Sequence, residues 1–318
     1  VRSDRRGPRF DRVVPDDGYQ WHYLDAVSAD GELAIVVIAL LGNPFSPRYA
    51  AARRVGPTNP LTYSSINVAL YGRRASAWAL QEFPVGPHDR SETGMAIGRS
   101  AIHWDGDRLV VDVDEVTTPL GPALLRRPLH GQIVLEPEAY TGATAIIDPA
   151  GRHTWWPVAP RARVHVDLPS HEVRFSGHGY HDANAGTSPL ERDFTTWSWS
   201  RARLKTSAYI SYDVECVDGS FRSQSYAIDA RGELEAVTDG WRVGLRRSAW
   251  GLRRSMPTDP RATPRVRRSL EDGPFYARAL VDTTLRGERV LAMHETLAAH
   301  RLKLRIVQGM AGYRIRPG

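Results

Sequence analysis

The chain has 318 residues, 42% of them hydrophobic, with 42 Lys and Arg against 36 Asp and Glu and a formal charge of +6. That length suits one large or two ordinary domains, and that apolar content is enough to bury a core. No Lys/Arg run is interleaved with aromatics as a nucleic-acid platform requires, and the single cysteine, Cys216, excludes an internal disulfide and any cysteine-based zinc cluster.

The chain begins at Val1, the mark of a trimmed start or a non-standard initiator, and shows no signal peptide, so a cytoplasmic location is expected. Turn signals divide it into short apolar runs. The first, Ala29-Asp30-Gly31, precedes the longest apolar run, residues 34–41, which falls well short of the roughly 20 residues that a membrane helix needs. Residues 40–49 read as a buried strand leading into a proline-fixed loop, with a short helical turn over 47–54. Residues 65–71 read as a strand carrying Asn67, a polar group that must find a hydrogen bond if buried, as a structural bracket or as a water-holding site residue. A turn at 104–107 leads into alternating residues 109–113, and a second at 148–151 precedes His153-Thr154-Trp155-Trp156.

Alternation continues through 164–168 and the His-, Gly- and aromatic-rich stretch 176–200. After the polar turn at 188–192 it restarts, through 209–216 and the turns at 217–219 and 229–232. Cys216 reads as core filler, because its acidic neighbours disfavour a thiolate. Trp197 and Trp199 share a strand face and are expected to pack a second core. Residues 253–268, rich in Arg and Pro, read as an exposed loop, and 293–304 reads as helix or strand. An all-β architecture follows, with a domain boundary placing residues 1–192 in one β domain and 193–318 in another.

Several enzyme signatures are missing: there is no Gly-x-Ser-x-Gly elbow, no P-loop, no complete dinucleotide motif, no zincin and no calcium loop. Histidines crowd residues 165–182, but period-two alternation sends His178 and His181 to opposite sides, so no metal is expected. The same rule puts His178, Tyr180 and Asp182 on one face, and His153 with Trp155 on another common face. A proton carrier beside an aromatic, twice, points to acid–base work in an apolar setting. The alternative reading makes Asp182 a turn cap working with Asn184 and Gly186, and the tryptophans plain core.

The segment Gly177-His178-Gly179-Tyr180-His181-Asp182-Ala183-Asn184-Ala185-Gly186, with Trp197-Ser198-Trp199-Ser200-Arg201-Ala202, resembles the carotenoid 1,2-hydratase (hydroxyneurosporene synthase) family. The resemblance extends to residues 21–31, Phe45-Ser46-Pro47-Arg48-Tyr49, Asn67-Val68-Ala69-Leu70-Tyr71 and His153-Thr154-Trp155-Trp156. It implies two lipocalin-like antiparallel β domains, sandwich or barrel, with the site on the first domain and the interdomain region. It also implies a cofactor-free hydro-lyase that adds water to the terminal C1=C2 bond of acyclic carotenoids such as neurosporene and lycopene. By the same resemblance the catalytic residues are His153, Trp155, Tyr180 and Asp182, and the expected supporting residues are His178, Asn184, Asn67 and Trp156. No cofactor and no nucleic acid are expected. The partners are the carotenoid, water and a peripheral membrane contact.

Those residue types suit the chemistry. Protonating the alkene at C2 needs an acid that stays protonated near neutral pH, as a carboxyl in an apolar cavity does. Aromatic faces stabilise the cation that develops at C1, and a histidine can take a proton from the attacking water. One position departs from the family: Ala185 stands where a Trp is common. That substitution motivates two alternatives, a hydratase or pericyclase acting on another hydrophobic isoprenoid or polyketide-type substrate. A third alternative is a non-catalytic lipocalin-like carrier.

Overall fold

The computed structural model describes residues 6–73, 75–119, 125–238 and 241–318; Val1 lies outside them. Chain contacts divide it into two compact units. The first comprises residues 1–145, 153–189 and 309–318, and the second comprises 146–152 and 190–308.

The strands of the first unit are β1 (Tyr19–Ser28), β2 (Ala34–Leu41), β3 (Ser64–Tyr71), β4 (Ala77–Phe83), β5 (Gly94–Ile97), β6 (Ser100–Asp105), β7 (Arg108–Val116), β8 (Pro128–Ala139), β9 (Ala145–Ile146), β10 (His153–Leu168) and β11 (Val173–Gly186). All but β9 form an antiparallel sheet in the order β4-β3-β2-β1-β11-β10-β8-β7-β6-β5. The sheet curls until β4 meets β7 and β5 meets β3, as in a barrel that comes close to closing on itself. Leu24, Ile35, Val37, Ile66, Val68, Val111, Ile133, Val164 and Ala183 join one hydrophobic cluster inside the curl.

β2 explains the long apolar run. Ile35, Val37, Ala39 and Leu41 enter that cluster, while Ala34, Val36 and Leu40 on the other face are also buried. A strand covered on both sides loses its alternation. The expected helical turn is present as α1 (Pro47–Arg53), which the Ser46 side chain caps by accepting from the Tyr49 N–H.

The second unit contains α2 (Leu190–Asp193), β12 (Phe194–Arg203), β13 (Ser207–Cys216), β14 (Phe221–Asp229), β15 (Leu234–Ala236), β16 (Trp241–Leu245), β17 (Arg254–Thr258), β18 (Arg265–Asp272), β19 (Tyr276–Leu285) and β20 (Glu288–Leu297). Seven of these strands form the sheet β15-β14-β13-β12-β20-β19-β18, and β16 and β17 form a separate ribbon. α3 (Arg305–Arg314) and β21 (Arg316–Pro317) close the chain, with β21 parallel to β4. Among the described residues no helix is long and apolar enough to cross a membrane.

One sequence expectation is corrected. Residues 253–268 are not an exposed loop: they contain β17 and the start of β18, and Arg254 and Met256 are buried. Residues 293–304 are the end of β20 followed by a 3-10 turn, Ala299–Lys303. Trp197 and Trp199 are buried in the second unit as expected, and Trp197 packs against Phe194 and Tyr212. The opposite face of β12 and β13 carries the cluster that contains the register partners Ala202 and Tyr209.

Candidate active site

β1 runs between β2 and β11. Its register pairs Tyr19 with Gly186, Trp21 with Asn184, Tyr23 with Asp182 and Asp25 with Tyr180. On the far side of β11, β10 pairs His153 with Gly186 and Trp155 with Asn184. Alternation therefore gathers these side chains on one patch, on the face of the sheet opposite the hydrophobic cluster.

β10 serves both faces by alternation, and its register shifts between Trp156 and Ala159 and again between Ala159 and Ala162. Pro157 and Pro160, which have no N–H for the ladder, stand at these irregularities. His153 and Trp155 face the patch, whereas Trp156, Val158, Ala162 and Val164 face the hydrophobic cluster; the irregularity lets Ala159, adjacent to Val158, join the same cluster.

Asp182 is the hub of the patch. Its Oδ2 accepts from the Trp155 indole Nε1 at 2.9 Å and from the Tyr180 hydroxyl at 2.9 Å, and its Oδ1 accepts from the Asn184 amide at 3.1 Å. Trp155, Tyr180 and His153 are completely buried, and Asp182 and Asn184 are 4% exposed. Burial, then the neighbouring Asp182 carboxyl, pushes the Tyr180 phenol well above its ordinary pKa, so it remains a donor. The Asn184 Oδ1 is buried with no hydrogen-bond partner among the described residues. A buried acceptor in that state is a place for a water molecule.

His153 Nδ1 shares a 2.8 Å hydrogen bond with the Tyr19 hydroxyl, and the Tyr19 ring stacks on Trp21 at 4.7 Å. Gly186 makes this approach possible. A Cβ there would stand 2.4 Å from Tyr19 Cε1 and 2.6 Å from His153 Nδ1.

The structure brings His153, Trp155, Tyr180, Asp182 and Asn184 to one patch. His178 shares the face but is exposed near the start of β11. Asn67 is buried on β3, paired with Ile38, which in turn pairs with Tyr23; its amide donates to the Ala79 carbonyl at 2.9 Å. Trp156 faces the hydrophobic cluster and donates to the Thr141 carbonyl at 2.9 Å. Ala185 also falls on the face away from Asp182, opposite Gln20 and Thr154. Strand parity therefore removes Ala185 as a motive for another substrate at this patch. Tyr19, Trp21, Tyr23 and Asp25 were not singled out as site residues. Their alternation along one polar-aromatic strand was the available signal. Among the described residues no group of three or more His, Cys, Asp or Glu side chains is arranged to hold a metal ion.

Residues 37–317 match the sequence profile described as carotenoid hydratase CrtC. The chain belongs to this carotenoid hydratase family.

Family membership makes it a hydro-lyase of the carotenoid 1,2-hydratase type. The acyclic carotenoid 1,2-hydratase of Thiocapsa roseopersicina is 41% identical over 311 residues, which cover 98% of this chain and 76% of that protein. The enzyme of the same name from Rubrivivax gelatinosus is 38% identical over 300 residues, covering 93% and 72%. Among solved structures, an AttH-type protein of Nitrosomonas europaea superposes with a TM-score of 0.63 over 89% of this chain and 92% of its own. At 14% identity that likeness describes the fold alone. In this member of the family a buried carboxyl, an indole and a phenol are joined by hydrogen bonds.

Proposed function

We propose that this carotenoid hydratase adds water across the terminal C1=C2 bond of acyclic carotenoids such as neurosporene or lycopene, without a cofactor, through the patch centred on Asp182. The observation that carries this reading is the buried Asp182 carboxyl, held through Oδ2 by both Trp155 and Tyr180. Because Oδ2 already accepts from two donors, the deliverable proton is assigned to Oδ1. Asp182 protonates C2, and a tertiary cation forms at C1. The π-faces of Trp155 and Tyr180 stabilise that cation by roughly 0.5–2 kcal/mol each in a desolvated setting.

A water held at the orphan Asn184 Oδ1 attacks C1, and His153 accepts the proton it loses. Returning that proton to Asp182 resets the site, so one water is consumed and no electrons change hands. The phenol of Tyr180 stays protonated throughout, consistent with its raised pKa. A long polyene is dissolved in lipid, so the proposal includes peripheral contact with a membrane during substrate capture, by a protein resident in the cytoplasm.

The test is Asp182→Asn. This variant keeps the shape and the hydrogen-bond acceptor at Oδ1 but cannot supply an acidic proton. Incubated with lycopene or neurosporene, the wild-type protein is expected to yield a product heavier by one water. The variant should lose roughly 10²–10⁴-fold in rate, the ordinary worth of a positioned acid, with an unchanged circular dichroism spectrum. Near-normal hydration by the variant would overturn the assignment.

A further inference from the structure

The second unit carries a polar row that a core does not need. Across its sheet the register aligns Ala202 with Tyr209 and Ala292, and Tyr209 with Ala227. Ala202, Tyr209 and Ala292 belong to the apolar cluster of this unit. Two residues along, the same face presents Ser200, Ser211, Ser225 and His294. A further two along it presents Ser198, Asp213 and Thr296, and then Thr196 and Glu215. One end of the face is therefore oily and the other hydroxylic.

The polar end is built, not merely tolerated. His294 shares hydrogen bonds with Ser200 Oγ at 3.1 Å and Thr296 Oγ1 at 3.3 Å, and Ser198 meets Thr296 at 3.2 Å. Arg242 grips both oxygens of Asp213 and also donates to Ser211 and Ser225, so the Asp213 charge is compensated. Burial, then the charge of Arg254, lowers the His294 pKa to about 3, leaving the imidazole neutral.

A cavity of about 400 Å³ opens at this end, between Thr196, Ser198 and Glu215 on one side and Arg247, Arg253 and Arg254 on the other. Arg254 is 7% exposed. Its Nε and Nη2 donate to the Arg246 carbonyl, while its Nη1 is buried with no hydrogen-bond partner among the described residues. Asp272 lies within electrostatic reach of Arg254 without lining the cavity; its Oδ2 accepts from the Ala249 N–H, and its Oδ1 is buried with no hydrogen-bond partner among the described residues. Of the two carboxylates that line the cavity, Asp213 is compensated by Arg242, which leaves Glu215 to face three guanidinium groups; it accepts from the Thr196 hydroxyl at 3.1 Å. A buried N–H with nothing to bond is costly, and an arriving anion relieves that cost.

We propose that this cavity is a binding site for a phosphate-class anion. The phosphoryl group is held by Arg254 with Arg247 and Arg253, and by the Ser198 hydroxyl, whose bond to Thr296 can take either oxygen as donor. Several guanidinium forks with a hydroxyl beside them suit a tetrahedral oxyanion, whereas a planar carboxylate is satisfied by one fork. The volume accommodates a phosphoryl group with a short polar stem. The phosphate can belong to a soluble monoester or to the headgroup of an anionic phospholipid. The site draws its residues from the second unit alone, so it stands or falls independently of the hydration chemistry at Asp182.

The test uses the full chain. Calorimetry measures inorganic phosphate and glycerol 3-phosphate, and co-sedimentation measures vesicles of phosphatidylcholine with and without phosphatidylglycerol. Saturable binding is expected. It should weaken roughly tenfold or more in R254Q and in the exposed double variant R247Q/R253Q, each removing charge-assisted hydrogen bonds. It should strengthen several-fold in E215Q, because a repelling carboxylate is removed, an effect that misfolding cannot imitate. Binding of the soluble phosphates with silent vesicles identifies a soluble ligand, and binding of phosphatidylglycerol vesicles alone identifies a headgroup. Absence of both, or affinities unmoved in R247Q/R253Q and E215Q, overturns the proposal even if R254Q does not fold. Carotenoid hydration in detergent is expected to be unchanged in E215Q and R247Q/R253Q.

Discussion

Asp182 has a short side chain, yet three donors from two strands reach it, because Trp155 and Asn184 are register partners and Tyr180 lies two residues before it. Glycine at 186 matters as much as the groups it borders. With no Cβ it lets Tyr19 and His153 close to hydrogen-bonding distance from either side. Gly186→Ala is therefore expected to lower stability by about 1–3 kcal/mol through overpacking and to reduce hydration by displacing His153. Thermal unfolding and turnover measured together check this. A variant with wild-type values for both would show that the close approach is dispensable. Position 185 teaches the opposite lesson. It is the neighbour of a site residue in sequence, but its side chain leaves by the other face, so the identity of residue 185 says little about the pocket around Asp182.

At the scale of elements, β10 shows how one strand can serve two environments. Trp155 and Trp156 are adjacent in sequence and alike in chemistry, yet one bonds to Asp182 and the other to the Thr141 carbonyl beside the hydrophobic cluster. Trp155→Phe is expected to cut hydration at least tenfold and, because the indole is fully buried and hydrogen-bonded, to cost about 1–3 kcal/mol of stability as well. Trp156→Phe is expected to leave hydration intact and cost about 1 kcal/mol for the lost hydrogen bond. Urea unfolding and product analysis of the two variants, side by side, separate these outcomes. Equal effects on activity would refute the alternation. β17 and β18 were hidden in the sequence for a related reason. Pro257, Pro260 and Pro264 among arginines look like a loop, whereas the ladder accommodates Pro257 opposite Arg242 in a two-stranded ribbon.

For the whole molecule, pH dependence follows from groups that burial forces toward neutrality. Glu115 is 2% exposed and accepts from Ser100 at 2.7 Å. Burial raises its pKa from 4.5 to about 7, the Ser100 bond opposing the shift. The folded state thus holds a proton that the unfolded chain releases. Glu115 therefore favours folding fully below about pH 4.5, and that contribution is lost as pH rises through about 7. Glu115→Gln is expected to remove this slope and to be more stable than wild type at pH 8 by up to about 3 kcal/mol, as measured by urea midpoints at pH 5 and pH 8. Parallel curves for the two proteins would show that Glu115 does not carry the slope. His181 opposes it on the acid side: burial lowers its pKa from 6.5 to about 4, so its contribution is present above pH 6.5 and lost as pH falls through 4.

The sequence by itself determined the nearly all-β character, the turns between strands and which neighbours along a strand share a face, because alternation is a local property of extended backbone. It also carried the family, through motifs spread over most of the chain. Tertiary structure alone decided that β1 lies beside β11, which put Tyr19 on His153 and Tyr23 opposite Asp182. It alone decided that the shifts in β10 bring the adjacent Val158 and Ala159 into one hydrophobic cluster, and that β17 brings Arg254 to the hydroxyl row of β12. Such pairings join residues far apart in the chain, and their free energy comes from burial and register across the whole sheet, which no short window of sequence contains.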